Sequence, residues 1–330
     1  MRVVVTVDTE ADGQWRHGAP LATDNVDWWR PFQDVCERHE VAATWLVTGE
    51  IAADPRAAAF LKPLLDRGAA EIGAHLHPWT TPPYRDEPGL TWNDAAHAYP
   101  SHLEDELLEE KLTALTAQVG EVFGAAPVSF RAGRFGLDAR VARLLDRLGY
   151  VIDSSVTPLL SWRDNPGRPG WGGGPDFRGH NGYPFRVEGT GLVELPVTVL
   201  ATYPLTRRSR LMRDHWQSRP LRAARRALQV GRRDQPLWLR PRPEYAADDL
   251  EVLLAEAERR RLPFAVLMFH SSELMPGGSP YRPTEASVAQ LLALFDRVFA
   301  FARSRGHSFC TLGAAGRELA VFARLPEKPL

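Results

Sequence analysis

Two short apolar runs in this chain each stop on a pair of chemically capable side chains. Val3-Val4-Val5-Thr6-Val7 leads into Asp8-Thr9-Glu10, and Glu71-Ile72-Gly73-Ala74 leads into His75-Leu76-His77. In extended backbone, side chains two apart share a face, so each run ends by presenting two groups side by side. A lone Asp-x-Glu is most often a turn carboxylate beside a solvated one, and a lone histidine is most often a satisfied structural residue. Two carboxylates and two imidazoles at the ends of buried-type strands are different. They make a donor set suited to zinc, cobalt or nickel, with a position left open for water. Gly73 lets another backbone approach closely just before the histidines.

Other polar groups follow strand-like runs in the same way. Arg131 follows 128–130, with Arg134 on the same turn; Asp153 follows 150–152; His270 follows the apolar run 264–269. An arginine so placed can hold a carboxylate ionised and oriented. Trp79, just beyond His77, has a face suited to stacking on a sugar and equally suited to a core. Trp79, Arg134 and Asp153 are the candidate substrate contacts.

The elements that position these groups alternate strand with helix. Strands are predicted at 3–7, 41–47, 70–74, 128–130, 150–152, 193–200, 264–269 and 308–312. Helices are predicted at 27–40, 54–67, 103–123, 137–148 and near 285–305. Residues 78–100 and the Gly/Pro-rich 163–184 read as loops. Such alternation implies a parallel sheet, open or closed, and in these folds polar chemistry gathers at the carboxyl ends of the strands. Asp8, Glu10, His75, His77, Arg131, Asp153 and His270 all fall there.

Composition narrows the class. The chain has 330 residues, 44% hydrophobic and 25% charged, with a formal net charge of −1. That balance excludes a generally basic nucleic-acid coat, so no nucleic-acid partner is expected. No apolar stretch approaches the length of a membrane span, and the N-terminal run lacks the cleavage site of a signal peptide; the expected location is the cytoplasm. Cys36 and Cys310 are too few for a disulfide framework or a thiolate metal site. Residues 207–233 carry ten arginines. They read as a solvated basic helix or as a contact for phosphate or the inner membrane leaflet, within an insertion at about 205–245.

The order of these motifs resembles the polysaccharide deacetylase family, with its NodB-type homology domain. Thr6-Val7-Asp8-Thr9-Glu10 is similar to the family's first motif, and Glu71-Ile72-Gly73-Ala74-His75-Leu76-His77 to its second. Arg131-Ala132-Gly133-Arg134-Phe135-Gly136, Asp153-Ser154-Ser155 and Met268-Phe269-His270 follow as the third, fourth and fifth. The resemblance runs from residue 1 to about 312. It implies an α/β fold, a distorted (β/α)7-type barrel forming one domain over 1–315, with 316–330 as a C-terminal tail. It also implies metal-dependent removal of an acetyl group from an N-acetylated sugar or glycan precursor. Asp8 would be the catalytic base, Glu10 and His75 metal ligands, Arg131 the orienting partner of the base, and His270 the general acid. Glu10 stands where the family usually has Asp. The second His follows at two residues instead of four, where this chain has Trp79. Ala-Gly replaces the family's usual Pro-Pro after the arginine. His77 as a ligand rests on extended spacing. A metal-independent amidohydrolase of the same fold and a catalytically silent glycan-binding protein are the alternatives.

Overall fold

The computed structural model describes residues 1–14, 21–84, 98–168, 170–201, 236–245, 247–321 and 325–330. Its strands are β1 (Arg2–Thr9), β2 (Ala43–Val47), β3 (Ala70–Leu76), β4 (Ser129–Ala132), β5 (Ile152–Asp153), β6 (Phe185–Val187), β7 (Val193–Glu194), β8 (Val199–Leu200), β9 (Leu237–Trp238), β10 (Phe264–His270), β11 (Ser308–Cys310) and β12 (Glu327–Lys328). The helices are α1 (Arg30–Arg38), α2 (Gly49–Ala52), α3 (Pro55–Asp66), α4 (Asp105–Phe123), α5 (Ala139–Arg147), α6 (Ala247–Arg259), α7 (Glu285–Ser304) and α8 (Leu312–Ala320).

Strand order is β10-β1-β2-β3-β4-β5-β7-β6-β12, parallel throughout β10 to β7, with β11 sharing one edge of β1 with β2. The sheet curls until its ends meet. Val197 N donates to Val156 O at 3.0 Å and Thr198 N to Val266 O at 3.2 Å, while Met268 N donates to Leu239 O at 3.1 Å. The segment 193–200 is therefore two short strands instead of the one predicted. Pro196 falls between β7 and β8, where the chain leaves β5 and crosses towards β10. A proline has no N–H for a ladder, so the break belongs there. The result is the distorted, hydrogen-bond-closed α/β barrel expected.

Alternation along β1 sorts its side chains between two environments. Val3, Val5 and Val7 join the outer core under the helices, where Phe32 of α1 meets Phe269 at 4.8 Å and Phe295 of α7 at 5.0 Å between ring centroids. Val4 points the other way and joins a separate inner cluster with Leu46, Ile152, Leu195, Val266 and Leu312, Ala315 and Leu319 of α8. Helix α8 thus closes the barrel at its amino end. Its first turn is held by Glu71, which accepts from Gly313 N at 2.8 Å, and by Thr44 Oγ1, which accepts from Leu312 N at 2.8 Å. Residues 316–330, expected as a tail, instead supply the end of α8 and strand β12, which pairs with β6.

Beside Leu46 of that cluster, the register partner of Gly73 across β2 and β3, the interior narrows. A Cβ at Gly73 would lie 2.4 Å from Ser129 Oγ and 2.6 Å from Leu46 Cδ2, so only glycine fits between β2 and β4. The next layer on the same face carries Asp8, His75, Arg131 and His270. Other differences from the sequence expectation are local. The predicted helix 27–40 splits at Trp29 into a short 3-10 turn, Asp24–Trp28, and α1, whose first turn holds Pro31. Helix α6 was not anticipated, although Leu250, Leu253, Leu254 and Ala257 repeat at helical spacing. Most of the predicted basic insertion at about 205–245 lies outside the described residues, which omit 202–235.

The narrow layer makes a test. Gly73→Val forces two strands apart and is expected to lower unfolding free energy by about 1–3 kcal/mol in a urea titration. A loss below about 0.3 kcal/mol, the scale of a neutral surface change, would contradict the close approach.

Candidate active site

Parallel register brings the sequence-distant groups together. Asp8 pairs with His270 across β1 and β10, and His75 pairs with Arg131 across β3 and β4. Glu10 leaves the strand just beyond, its N–H donating to Ser271 Oγ at 3.2 Å and its carbonyl accepting from Asn25 Nδ2 at 3.0 Å. Asp8, Glu10, His75 and His77 are all 3% exposed or less.

Arg131 has no exposed surface. Its guanidinium donates through Nη1 to Asp8 Oδ1 at 2.5 Å and Thr6 Oγ1 at 2.9 Å, through Nε to Ser154 O at 2.7 Å, and through Nη2 to Ser154 Oγ at 3.0 Å. Burial alone would raise the Asp8 carboxyl. The Arg131 charge, with His75 and His270 adding to it, overrides that and holds it at about 2. Asp8 is therefore ionised at neutral pH, with Oδ1 occupied by Arg131 and Oδ2 4.0 Å from His270 Nε2.

Glu10, His75 and His77 form the group able to hold a metal ion, their ligand atoms all within 4.8 Å of one another. His75 Nδ1–H donates to Arg131 O at 2.8 Å, which leaves the Nε2 lone pair on the Glu10 side. His77 Nε2 lies 3.2 Å from Glu10 Oε2, and its buried Nδ1 has no hydrogen-bond partner. Burial lowers both imidazoles to about 4, so each is neutral and able to donate a lone pair. Burial and the Asp8 charge raise the Glu10 carboxyl against His270 and His75, so a cation there would relieve an unfavourable negative charge. Two neutral imidazoles and one carboxylate, with one imidazole locked from behind by a carbonyl, fit a zinc-type ion.

The remaining candidates occupy other places. Trp79 is 5% exposed; it stacks on His77 at 4.3 Å between centroids and donates to Gln14 Oε1 at 2.9 Å, so its ring braces a candidate ligand. Arg134 is exposed and lies over the Tyr99 ring at 5.5 Å. Arg134 and Phe135 take left-handed backbone, φ 51° and 60°, in the turn after β4. Gly133 precedes them because a Cβ there would meet Leu76 O at 2.5 Å and His77 Cδ2 at 2.7 Å. Asp153 is wholly buried and accepts from Ser155 N at 2.9 Å and Ser155 Oγ at 2.8 Å. Its neighbour in register is Glu194, also without exposed surface. Burial raises Asp153, and burial with the Asp153 charge raises Glu194 well above the usual range.

Two residues of the site were missed. Arg240, 5% exposed, directs Nη2 at His270 Nδ1 at 3.0 Å, and Glu273, fully buried, accepts from His270 N at 3.3 Å. Arg240 does carry the signal that marked the others, a short apolar run, Leu237-Trp238-Leu239, stopping on a polar group. It was hidden at the end of a stretch that reads as basic insertion. Lys111 was also missed; it is buried and donates to the carbonyls of Thr81 and Pro83, anchoring the turn after His77.

The chain shares this fold with solved structures. A candidate polysaccharide deacetylase from Mycobacterium smegmatis matches 100% of this chain and 94% of its own at 16% identity, with a TM-score of 0.55. A candidate polysaccharide deacetylase from Pseudomonas aeruginosa PAO1 matches 98% and 91% at 13% identity, TM-score 0.51. Puue allantoinase matches 98% and 90% at 13% identity, TM-score 0.53. No protein-family model and no curated protein matches the chain.

The ion pair at the centre of the site sets an expectation. Arg131→Met leaves Asp8 charged and unpaired in the barrel and is expected to cost about 3–5 kcal/mol of stability. Adding Asp8→Leu should recover part of that loss. A single variant as stable as the parent by urea unfolding would show that the pair does not hold this layer together.

Proposed function

We propose that the protein is a metal-dependent hydrolase that removes an acetyl group from an N-acetylated sugar of a polysaccharide or glycan precursor. One observation carries the reading: a Glu-His-His donor triangle lies beside a separate, ionised carboxylate that faces a histidine across 4.0 Å. The fold shared with structures described as polysaccharide deacetylases supports the substrate class.

A zinc, cobalt or nickel ion held by Glu10, His75 and His77 would supply Lewis acidity, polarising an acyl oxygen and acidifying a water. The chain's own residues do the rest. Arg131 keeps Asp8 charged and fixes Oδ1, leaving Oδ2 as the oxygen free to take a proton from the attacking water. His270 Nε2 approaches that same oxygen, where the departing nitrogen must be met by a hydrogen donor. Burial of Asp8, Arg131, Glu10, His75 and His77 strengthens the contacts among them.

Three measurements test this. Asp8→Asn and His270→Ala should each lower acetate release from N-acetylated sugars by about 10²–10⁴-fold while the circular dichroism spectrum is retained. Near-parental turnover in either variant would remove that residue from the mechanism. Elemental analysis of the purified protein should find about one zinc, cobalt or nickel per chain, lost together in Glu10→Ala, His75→Ala or His77→Ala. Full activity in metal-free protein would favour the metal-independent amidohydrolase.

A further inference from the structure

We propose that Arg240 is a positioning residue that holds His270 as the neutral tautomer with its proton on Nε2, so that the ring acts as a hydrogen-bond donor and not as an imidazolium acid. The consequence for catalysis rests on the hydrolase reading above; the tautomer itself does not.

Arg240 Nη2 approaches His270 Nδ1 to 3.0 Å. A guanidinium carries only N–H donors, has no acceptor and stays charged throughout the working range. At that separation Nδ1 offers its lone pair, and the ring hydrogen is left on Nε2. A ring protonated on both nitrogens would set one N–H against another, beside a full positive charge. Glu273 Oε1, 3.4 Å from Nδ1, is the competing partner, but it lies equally far from Arg240 Nη2 and takes the His270 backbone N–H at 3.3 Å.

Arg240 is held for this task. It is 5% exposed and is neutralised by Glu273, which has no exposed surface. Its guanidinium carbon lies 5.5 Å from the Trp238 ring centroid and 5.1 Å from that of Tyr281, within cation–π range of both. With Nδ1 accepting, Nε2–H is the atom presented 4.0 Å from Asp8 Oδ2, on the side where the reaction is proposed.

A neutral imidazole that gave up this hydrogen would become an imidazolate, so it is a poor acid. The proton that the departing nitrogen needs then comes from Asp8. Water loses a proton to Oδ2 as its oxygen bonds to the acyl carbon; the carbon–nitrogen bond breaks as Asp8 passes that proton to nitrogen. Acetic acid and free amine leave, the acid's proton passing to solvent, and Asp8 and His270 end as they began.

The tautomer can be read without turnover. In long-range 1H–15N correlation spectra of the full-length, 15N-labelled protein, His270 signals are assigned by their loss in His270→Gln. The expected pattern puts Nδ1 at the downfield position of an unprotonated ring nitrogen and Nε2 at the upfield position of a protonated one. Arg240→Met should move Nδ1 upfield as Glu273 takes over, and Arg240→Lys should restore the parental pattern. A parental spectrum with Nδ1 protonated would overturn the proposal even if neither Arg240 variant folds. So would a folded Arg240→Met protein with unmoved signals. Should acetate release never be detected while the expected pattern is found, the proposed function fails and the assignment of Arg240 stands.

Discussion

The Arg131 guanidinium has no contact with solvent, yet it carries a full charge inside a parallel barrel. Removing such a charge from water costs several kcal/mol, recovered only where every donor is matched and a counter-charge lies close. That requirement shapes much of what surrounds it. Thr6 and Asp8 on β1 and the Ser154 hydroxyl and carbonyl after β5 converge on one planar fork. The Arg131 carbonyl then sets the tautomer of His75. One side chain thereby links strand packing, the ionisation of Asp8 and the orientation of a candidate ligand.

The barrel interior is graded along its axis, and the grading separates stability from chemistry. At the amino end Val4, Leu46, Ile152 and Val266 close on α8, with Glu71 and Thr44 satisfying that helix's first N–H groups. Gly73 makes the middle too narrow for any other side chain. At the carboxyl end a layer of carboxylates, imidazoles and guanidinium replaces hydrocarbon. Parallel strands all end at the same rim, which is why the charged layer can be assembled from β1, β3, β4 and β10 without disturbing the apolar one.

Electrostatic roles in this rim diverge although the groups are neighbours. Asp8 is driven down by a guanidinium, Glu10 up by burial, and the two ligand-type histidines down by the same burial. A metal-capable triangle and an ionised base can therefore coexist within a few ångströms. In the second carboxylate pair, Asp153 and Glu194, burial raises both members against the nearby Arg131 charge. On the far side, Arg240 and Glu273 repeat the buried-pair device around His270.

Much of the rim was legible in the chain alone, because strand ends are written locally. A short apolar run stopping on paired polar groups marks Asp8 with Glu10 and His75 with His77, and single polar stops mark Arg131 and His270. The alternation of strands with helices likewise made a parallel sheet readable from short windows. What local sequence could not carry is register. Nothing in the windows around 8 and 270, or 75 and 131, says that these residues are Cα partners; the hydrogen-bond ladders and the fit of Gly73 decide it. Nor could exposure be read. Trp79 and Asp153 stood as candidate substrate contacts; tertiary packing stacks one on His77 and buries the other against Ser155. Arg240 was lost for the same reason, since a basic residue in a basic stretch is marked as special only by what it packs against. The sequence by itself determined which residues stand at strand ends, because two-residue periodicity is a property of neighbours. The tertiary structure alone decided which of them meet, which are ionised and which are buried, because those depend on distances between parts of the chain that no local pattern encodes.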